Sequence, residues 1–237
     1  MKLSIILPIK NESAGILNTL NVLTDELKNI DYEIVVINDN SEDNSFELVD
    51  NYRSNNSKIH VYNNKVNGLG GAIILGIQKA NGEAISIMMS DLSDSIGDLM
   101  TYYKMIKDEK IDAVFGSRFI KNSSLIKYPI KKLILNRLFN FITKIIFFSD
   151  YNDFTNAFKI YKKESLLKTF PLVSESYNIF LEIPLKMISR KMKYKIIPIS
   201  WKNRKYGKSK FVIKELGSKY LFTLLYCLLE KILLKKK

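Results

Sequence analysis

AISIMMSDLSD, residues 84–94, decides how this chain is read: an apolar strand runs straight into two carboxylates, Asp91 and Asp94. A carboxylate at the end of a buried strand is costly unless a cation or hydrogen-bond donors meet it. In an open α/β sheet the carboxyl ends of the strands are where ligands bind. Two earlier apolar runs end in the same way, in Pro8-Ile9-Lys10-Asn11-Glu12 and in Asn38-Asp39-Asn40-Ser41. Three polar strand ends at matching places describe a pocket for a polar, anionic ligand.

Outward from that stretch, strand and helix alternate. Residues 3–9, 33–37, 58–62, 84–89 and 112–116 read as short apolar strands, with helical periodicity near 14–28, 45–53, 70–80 and 96–107 between them. That order predicts an α/β fold with a mostly parallel central sheet flanked by helices. No internal repeat or low-complexity linker interrupts the pattern, so one compact domain is expected.

The later part of the chain reads differently. In 129–148, Lys132, Asn136, Asn140 and Thr143 recur at helical spacing as one polar stripe, widened by Arg137 and Lys144, while the rest of the helix is apolar. Such a helix either lies in a membrane interface or is buried between protein layers. Further strands are expected at 158–161 and 195–199, with a helix near 177–191 between them. Residues 211–234 form a closing helix whose uncharged core, 220–229, is flanked by lysines. Lysine flanks around an apolar helix suit anionic headgroups; docking on the protein itself is the alternative.

Charge follows the same division. Residues 1–118 carry 11 Lys+Arg against 17 Asp+Glu, and residues 119–237 carry 26 against 7, so the net charge of +13 sits entirely in the second half. The lysines there are interleaved with long apolar helices rather than with exposed aromatic strands or a helix-turn-helix pattern. That favours a membrane surface and a phosphate over nucleic acid. No uncharged stretch reaches the ~18–20 residues needed to span a bilayer, and the N-terminus lacks a secretory pattern. The single Cys227 allows no internal disulfide. A cytoplasmic protein, peripherally associated with the membrane, is expected.

The available side chains narrow the chemistry. His60 is the one histidine and falls inside an apparent strand, so neither a Ser-His-Asp set nor a multi-histidine metal site is expected. Carboxylates, amides, lysines and arginines remain, the set that positions oxygen-rich anions around a hard cation. Asp91 and Asp94 suit Mg2+ or Mn2+ bridging the two phosphates of a nucleotide diphosphate. The competing role is a helix cap by Ser93 or Asp94 before the helix at Ile96, which leaves Asp91 unexplained. Asn67-Gly68-Leu69-Gly70-Gly71 opens a helix, where glycines permit close backbone approach to phosphate or ribose. A plain strand-to-helix turn uses the same residues. Asp39 could meet a base edge or a ribose hydroxyl, or belong to a solvated loop.

Seven segments in order, SIILPIKNES, EIVVINDNSEDNS, NGLGGAIILGIQKANGE, ISIMMSDLSDS, FGSRF, DFTNAFKIY and ISWKNRKYGKSK, cover nearly the whole chain. Together they resemble the family 2 glycosyltransferases of GT-A fold, a Rossmann-like class, and especially the polyprenyl-phosphate sugar transferases similar to dolichol-phosphate mannose synthase. The resemblance implies that Pro8, Asn11 and Glu12 line the nucleotide pocket with Gly68 nearby, and that Asp39 contacts the base. It implies metal binding by Asp91, the second acid of an Asp-x-Asp motif. It also implies phosphate and acceptor contacts by Arg118, Lys132, Asn136 and Arg204, with Lys208 in the same basic loop as Arg204. Three positions depart from the pattern: Met89 replaces the first acid, Asn38-Asp39 replaces an aspartate pair, and Lys132 stands where relatives carry arginine. The Gln-x-x-Arg-Trp motif of processive synthases is absent from the sequence.

The expected activity is therefore inverting transfer of one sugar from a nucleotide-diphosphate donor to a polyprenyl phosphate. In that reading 1–118 is the donor half, 119–210 the acceptor half and 211–237 an interfacial helix. Two alternatives stand beside it. One is transfer to a hydroxyl on a glycan or lipid-linked sugar, which needs a base such as Asp153 or Glu182; Glu182 is expected instead to satisfy a nearby lysine. The other is a non-catalytic nucleotide-sugar binder, suggested by Met89.

Overall fold

The computed structural model describes residues 1–108, 110–204 and 213–234, the last segment without the side chains of 213–216. In chain order the elements of the first half are β1 (Leu3–Ile9), α1 (Ile16–Glu26), β2 (Tyr32–Asn38), α2 (Ser45–Arg53), β3 (Ile59–Asn63), α3 (Leu69–Lys79), β4 (Ala84–Ile87), α4 (Ile96–Asp108) and β5 (Ala113–Ser117). The chain continues through β6 (Ser124–Ile126), α5 (Ile130–Phe147), β7 (Lys159–Lys162), α6 (Lys163–Leu167), α7 (Ile179–Ser189), β8 (Tyr194–Pro198), β9 (Ser200–Lys202) and α8 (Ile213–Leu234).

Seven strands form one sheet in the order β3-β2-β1-β4-β7-β5-β8. β1, β2, β4 and β5 are buried along their whole length, which their near-continuous apolar sequences require of strands covered on both faces. The helices cover those faces: α3 buries Ala72, Ile73, Gly76 and Ile77. It lies so near the sheet that a Cβ on Gly76 would stand 2.4 Å from Cγ2 of Ile6.

Two features of this order place the site. After β1 the chain builds outward to β2 and β3, then returns so that β4 pairs with the other side of β1. The order thus reverses between β1 and β4, and a crevice opens at their carboxyl ends. Residues after β1 (Glu12) and after β4 (Asp91) are brought side by side there. Second, β7 runs antiparallel between β4 and β5. The loop entering β7, with Asp153, therefore lies at the same end of the sheet as Arg118, which leaves β5.

Three elements were not expected from sequence: α6 and the two three-residue strands β6 and β9. The strands pair in parallel as a small second sheet. Asp94 forms a bridge with Trp201 of β9, and Lys202 N donates to Ser93 O at 2.9 Å. β9 thereby carries Arg204 across to the β4 end.

α5 turns its polar stripe inward. Asn140 and Thr143 are buried, while Ile134, Leu138, Phe141 and Ile145 are between 54% and 62% exposed. Of the two arrangements open to its sequence, burial between protein layers does not occur among the described residues. α8 lies beside it, with Phe139 against Tyr220 at 5.6 Å and Lys231 Nζ donating to Phe147 O at 2.7 Å. α8 adds an exposed apolar row of its own, including Phe222, Leu225 and Leu229. No helix of the described residues is long and apolar enough to cross a membrane.

Candidate active site

A cavity at the β1/β2 end is lined by Pro8, Lys10, Glu12, Asp39, Met89, Tyr177 and Arg204, among others. Pro8, Glu12 and Asp39 are thus brought together as the sequence implied. Asp39 Oδ1 accepts from Gly68 N at 2.9 Å and Asn64 Nδ2 at 2.8 Å, while Lys10 Nζ lies 3.9 Å from Oδ2.

Gly68 and Asn11 do other work. Gly68 sits at φ 110°, in the left-handed half of the map where side chains are strained. A Cβ on it would meet the carbonyl oxygen of Glu175 at 2.5 Å. What approaches the glycine turn is the protein's own chain: Gly70 N donates to that same oxygen at 2.9 Å. Asn11, expected to line the pocket, instead ties two loops together. Its N donates to Ser41 Oγ at 3.1 Å and its Oδ1 accepts from Glu42 N at 2.7 Å.

At the centre, Arg204 joins the two strand ends. Its Nη2 lies 2.7 Å from Asp91 Oδ2 and its Nη1 lies 3.5 Å from Glu12 Oε1. Asp91 Oδ1 accepts from Ser93 N at 3.0 Å, turning the chain after β4. The capping role for Ser93 or Asp94 does not hold. Asp98 N donates to Ser95 Oγ at 3.4 Å and Leu99 N donates to Ser95 O at 3.2 Å, so Ser95 opens α4.

Asp94 is buried, and its Oδ1 has no hydrogen-bond partner among the described residues. Burial, then the neighbouring Asp91 charge, push its carboxyl up to about 7, against the pull of Arg118. An orphaned carboxylate oxygen beside a second carboxylate is the donor chemistry a hard divalent cation takes. No group of three or more His, Cys, Asp or Glu able to hold a metal occurs among the described residues. The fit is to an ion that draws its remaining oxygens from a diphosphate and water, as Mg2+ commonly does.

On the side toward α5, Arg118 is engaged with Asp153. Nε–Oδ2 is 2.8 Å, Nη2–Oδ1 is 2.7 Å, and the Arg118 backbone N also donates to Oδ2 at 2.9 Å. Burial works against the charge of Arg118, but Asp153 overrides it and holds the guanidinium protonated. This two-pronged grip makes Arg118 a fixed positive wall. Lys132 stands close by: burial, then Arg118 and Arg204, lower its pKa, with Asp91 opposing. Three cations therefore converge where Asp91 faces α5. Asn136 donates to Tyr128 OH at 3.0 Å and accepts from Thr155 Oγ1 at 2.7 Å, bracing the first turns of α5. Lys208 lies outside the described residues.

Sequence reading missed Tyr128, Tyr177 and Lys159. The Tyr128 ring lies under the Arg118 guanidinium (5.6 Å) and Lys132 Nζ (5.8 Å) and meets Trp201 edge-on at 4.9 Å. Its only signal was its place just before a proline and a helix. Lys159 is fully buried and donates to Phe154 O at 3.1 Å and to Asn156 O. It fixes the loop that carries Asp153, and burial lowers its pKa to about 7. Its charge was hidden inside a strand pattern. Glu182 does satisfy a lysine, Lys186, at 2.9 Å, and also accepts from Val173 N and Ser174 N.

The sequence matches the model of Glycosyl transferase family 2 over residues 4–170. It is similar to the dolichol-phosphate mannosyltransferase of Pyrococcus furiosus, 26% identical over 212 residues that cover 89% of this chain and 59% of that protein. It is also similar to dolichyl-phosphate beta-glucosyltransferase ALG5A of Trichomonas vaginalis, 27% identical over 213 residues, covering 84% and 65%. The chain spans less than two thirds of the length of both. Among solved structures, glucosyl-3-phosphoglycerate synthase from Mycobacterium tuberculosis in complex with Mn2+, uridine-diphosphate and phosphoglyceric acid aligns at TM-score 0.71 and 16% identity, covering 96% of this chain and 78% of that one. That likeness is one of fold, the mostly parallel Rossmann-like sheet of GT-A type expected from the sequence.

Proposed function

The chain belongs to glycosyl transferase family 2, and from that footing we propose that it transfers one hexose from a nucleotide-diphosphate sugar to a polyprenyl phosphate at a membrane surface, with inversion. One observation carries the proposal. Arg204 spans from the strand-end carboxylates Glu12 and Asp91 toward Lys132 and Arg118, so a donor cleft and a cationic landing place share one wall.

The donor lies with its base against Pro8 and Asp39 and its diphosphate toward Asp91. A divalent ion held by Asp91, with Asp94 beside it, would offset the charge of the departing diphosphate. Lys132, Arg118 and Arg204 hold the acceptor phosphate by charge and orientation. A phosphate oxygen is anionic at neutral pH, so it attacks the anomeric carbon as the bond from that carbon to the diphosphate oxygen breaks. No proton has to be removed. That suits a site in which Asp153 holds Arg118 and Glu182 holds Lys186. Both engagements weigh against the hydroxyl-acceptor alternative, whose candidate bases these are.

The outward apolar face of α5, continued by α8, supports a membrane surface, because it presents Ile, Leu and Phe with lysines at hand. Purified protein mixed with vesicles containing polyprenyl phosphate and radiolabelled nucleotide sugars is expected to give lipid-extractable label with one donor. No such label with any UDP- or GDP-sugar would reject the proposal.

A further inference from the structure

Ser176 and Tyr177 line the donor cavity, although they lie far along the chain from Pro8 and Asp39. The segment that carries them, 174–178, leads into α7 and is held from two sides. On one side it meets the glycine turn that opens α3. Gly70 N donates to Glu175 O at 2.9 Å, and a Cβ on Gly70 would collide with Ser174 O, so the two stretches of backbone leave no room between them. On the other side it meets α8. Asn178 Nδ2 donates to Ser174 Oγ and to Thr223 Oγ1, both at 2.9 Å, and Tyr220 OH donates to Tyr177 O at 3.1 Å. Ser174, Asn178 and Thr223 are buried. Lys219 adds a looser contact, its Nζ lying 3.9 Å from Glu175 Oε2.

Resting on the reading of this cavity as the donor site, we propose that Thr223 and Tyr220 of α8 are positioning residues for the nucleotide. They hold Ser176 and Tyr177 in the cavity wall and, through Glu175, keep the glycine turn closed beside Asp39. Gly68 N donates to Asp39 Oδ1, so one chain of contacts runs from the closing helix to Asp39 itself. A wall that is set before the ligand arrives spares binding the cost of ordering it. The buried Asn178 amide keeps its place because moving would leave it without acceptors. α8 therefore serves two tasks from opposite faces. Its outward row of Phe222, Leu225 and Leu229 is open, while its inward hydroxyls brace the donor wall. The division of the sequence into a donor half, an acceptor half and an interfacial helix makes no room for this second task.

Equilibrium dialysis of radiolabelled UDP and GDP, each with Mg2+, against the full chain gives affinity and the number of sites together. Thr223→Val keeps the size of the side chain but removes the hydroxyl, and is expected to weaken the bound nucleotide about fivefold with the number of sites unchanged. Thr223→Ser, which restores the hydroxyl, should stay within about twofold of wild type, and Tyr220→Phe should weaken binding about threefold. Leu224→Ala removes buried apolar surface from the same turn of α8 without touching these hydrogen bonds. It is expected to lower the melting temperature more than Thr223→Val does and to leave the affinity unchanged. Equal affinity in wild type, Thr223→Val and Tyr220→Phe overturns the positioning role. So does a loss in Leu224→Ala as large as that in Thr223→Val, or a fall in the number of sites at constant affinity in both hydroxyl variants, which would mean lost folded protein. If wild type binds a nucleotide and the variants match it, the positioning role alone fails. If wild type binds neither UDP nor GDP, the donor reading fails and the positioning role with it.

Discussion

α3 and α5 are both amphipathic helices, yet they present opposite faces to the protein. α3 buries Ala72, Ile73 and Ile77 against the sheet. α5 buries Asn140 and Thr143 and leaves Ile134, Leu138 and Phe141 outside. Hydrophobic burial holds the first in place. The second adds to the apolar contacts of Phe139, Ile146 and Phe147 a polar brace, in which Asn136 and Asn140 share hydrogen bonds with Tyr128 and Thr155. α3 is thus part of a conventional folded core, whereas α5 leaves an apolar row open beside the cationic cluster, as the proposed lipid-phosphate acceptor would require. A phosphate carried on a hydrocarbon chain needs both a charged pocket and an apolar deck beside it.

Substitutions on either side of this contrast can break it, and the largest effect is expected at Asp91. Asp91→Ala should lower sugar transfer by about 10³-fold or more, roughly 4 kcal/mol of barrier, while vesicle binding stays unchanged in a flotation assay. Loss of membrane binding in that variant would tie together two regions held here to be separate.

Ile77→Ala in α3 should destabilise the protein by about 3 kcal/mol in urea unfolding, the usual cost of a cavity in a packed core. Ile134→Ala in α5 should change the same curve by less than about 0.5 kcal/mol. Its effect belongs in vesicle binding, and Ile134→Asp combined with Phe141→Asp should weaken that binding at least tenfold. Equal destabilisation by both alanine variants would mean that the α5 face is covered in solution.

The donor half also carries a pH signature. Burial alone would raise the Glu33 carboxyl, but hydrogen bonds from Lys2, Ser4 and Asn81 outweigh it and hold the pKa at about 2, against an ordinary 4.5. A depressed carboxylate pKa stabilises the fold fully above about pH 4.5, and that contribution is lost as pH falls toward 2. Acid unfolding of Glu33→Gln should lack this part of the slope, with about 2 kcal/mol less stability at pH 7.

Much of the first half of the fold was legible because its signals are local. Continuous apolar runs gave β1, β2 and β5 nearly to the residue, and Asp91 announced itself as a charge at a strand end. The polar stripe of α5 was equally plain, but periodicity defines a face without saying which way it turns. Arg118 was singled out by its motif, but its ion pair was not legible, because its partner, Asp153, lies 35 residues on and arrives through an antiparallel strand. Asn11 was misplaced for a related reason: its left-handed backbone, φ 50°, turns the side chain toward the neighbouring loop. β6 and β9 are too short to show a period, and with them the route that brings Arg204 to Asp91 was hidden.

The most direct test of the account offers the purified chain, with vesicles and a reactive nucleotide sugar, either a polyprenyl phosphate or the matching polyprenol. With Asp153 and Glu182 both held in ion pairs, label is expected to pass to the phosphate and not to the alcohol. Transfer to the alcohol at a comparable rate would contradict the claim that this site works by orienting an acceptor that is already charged.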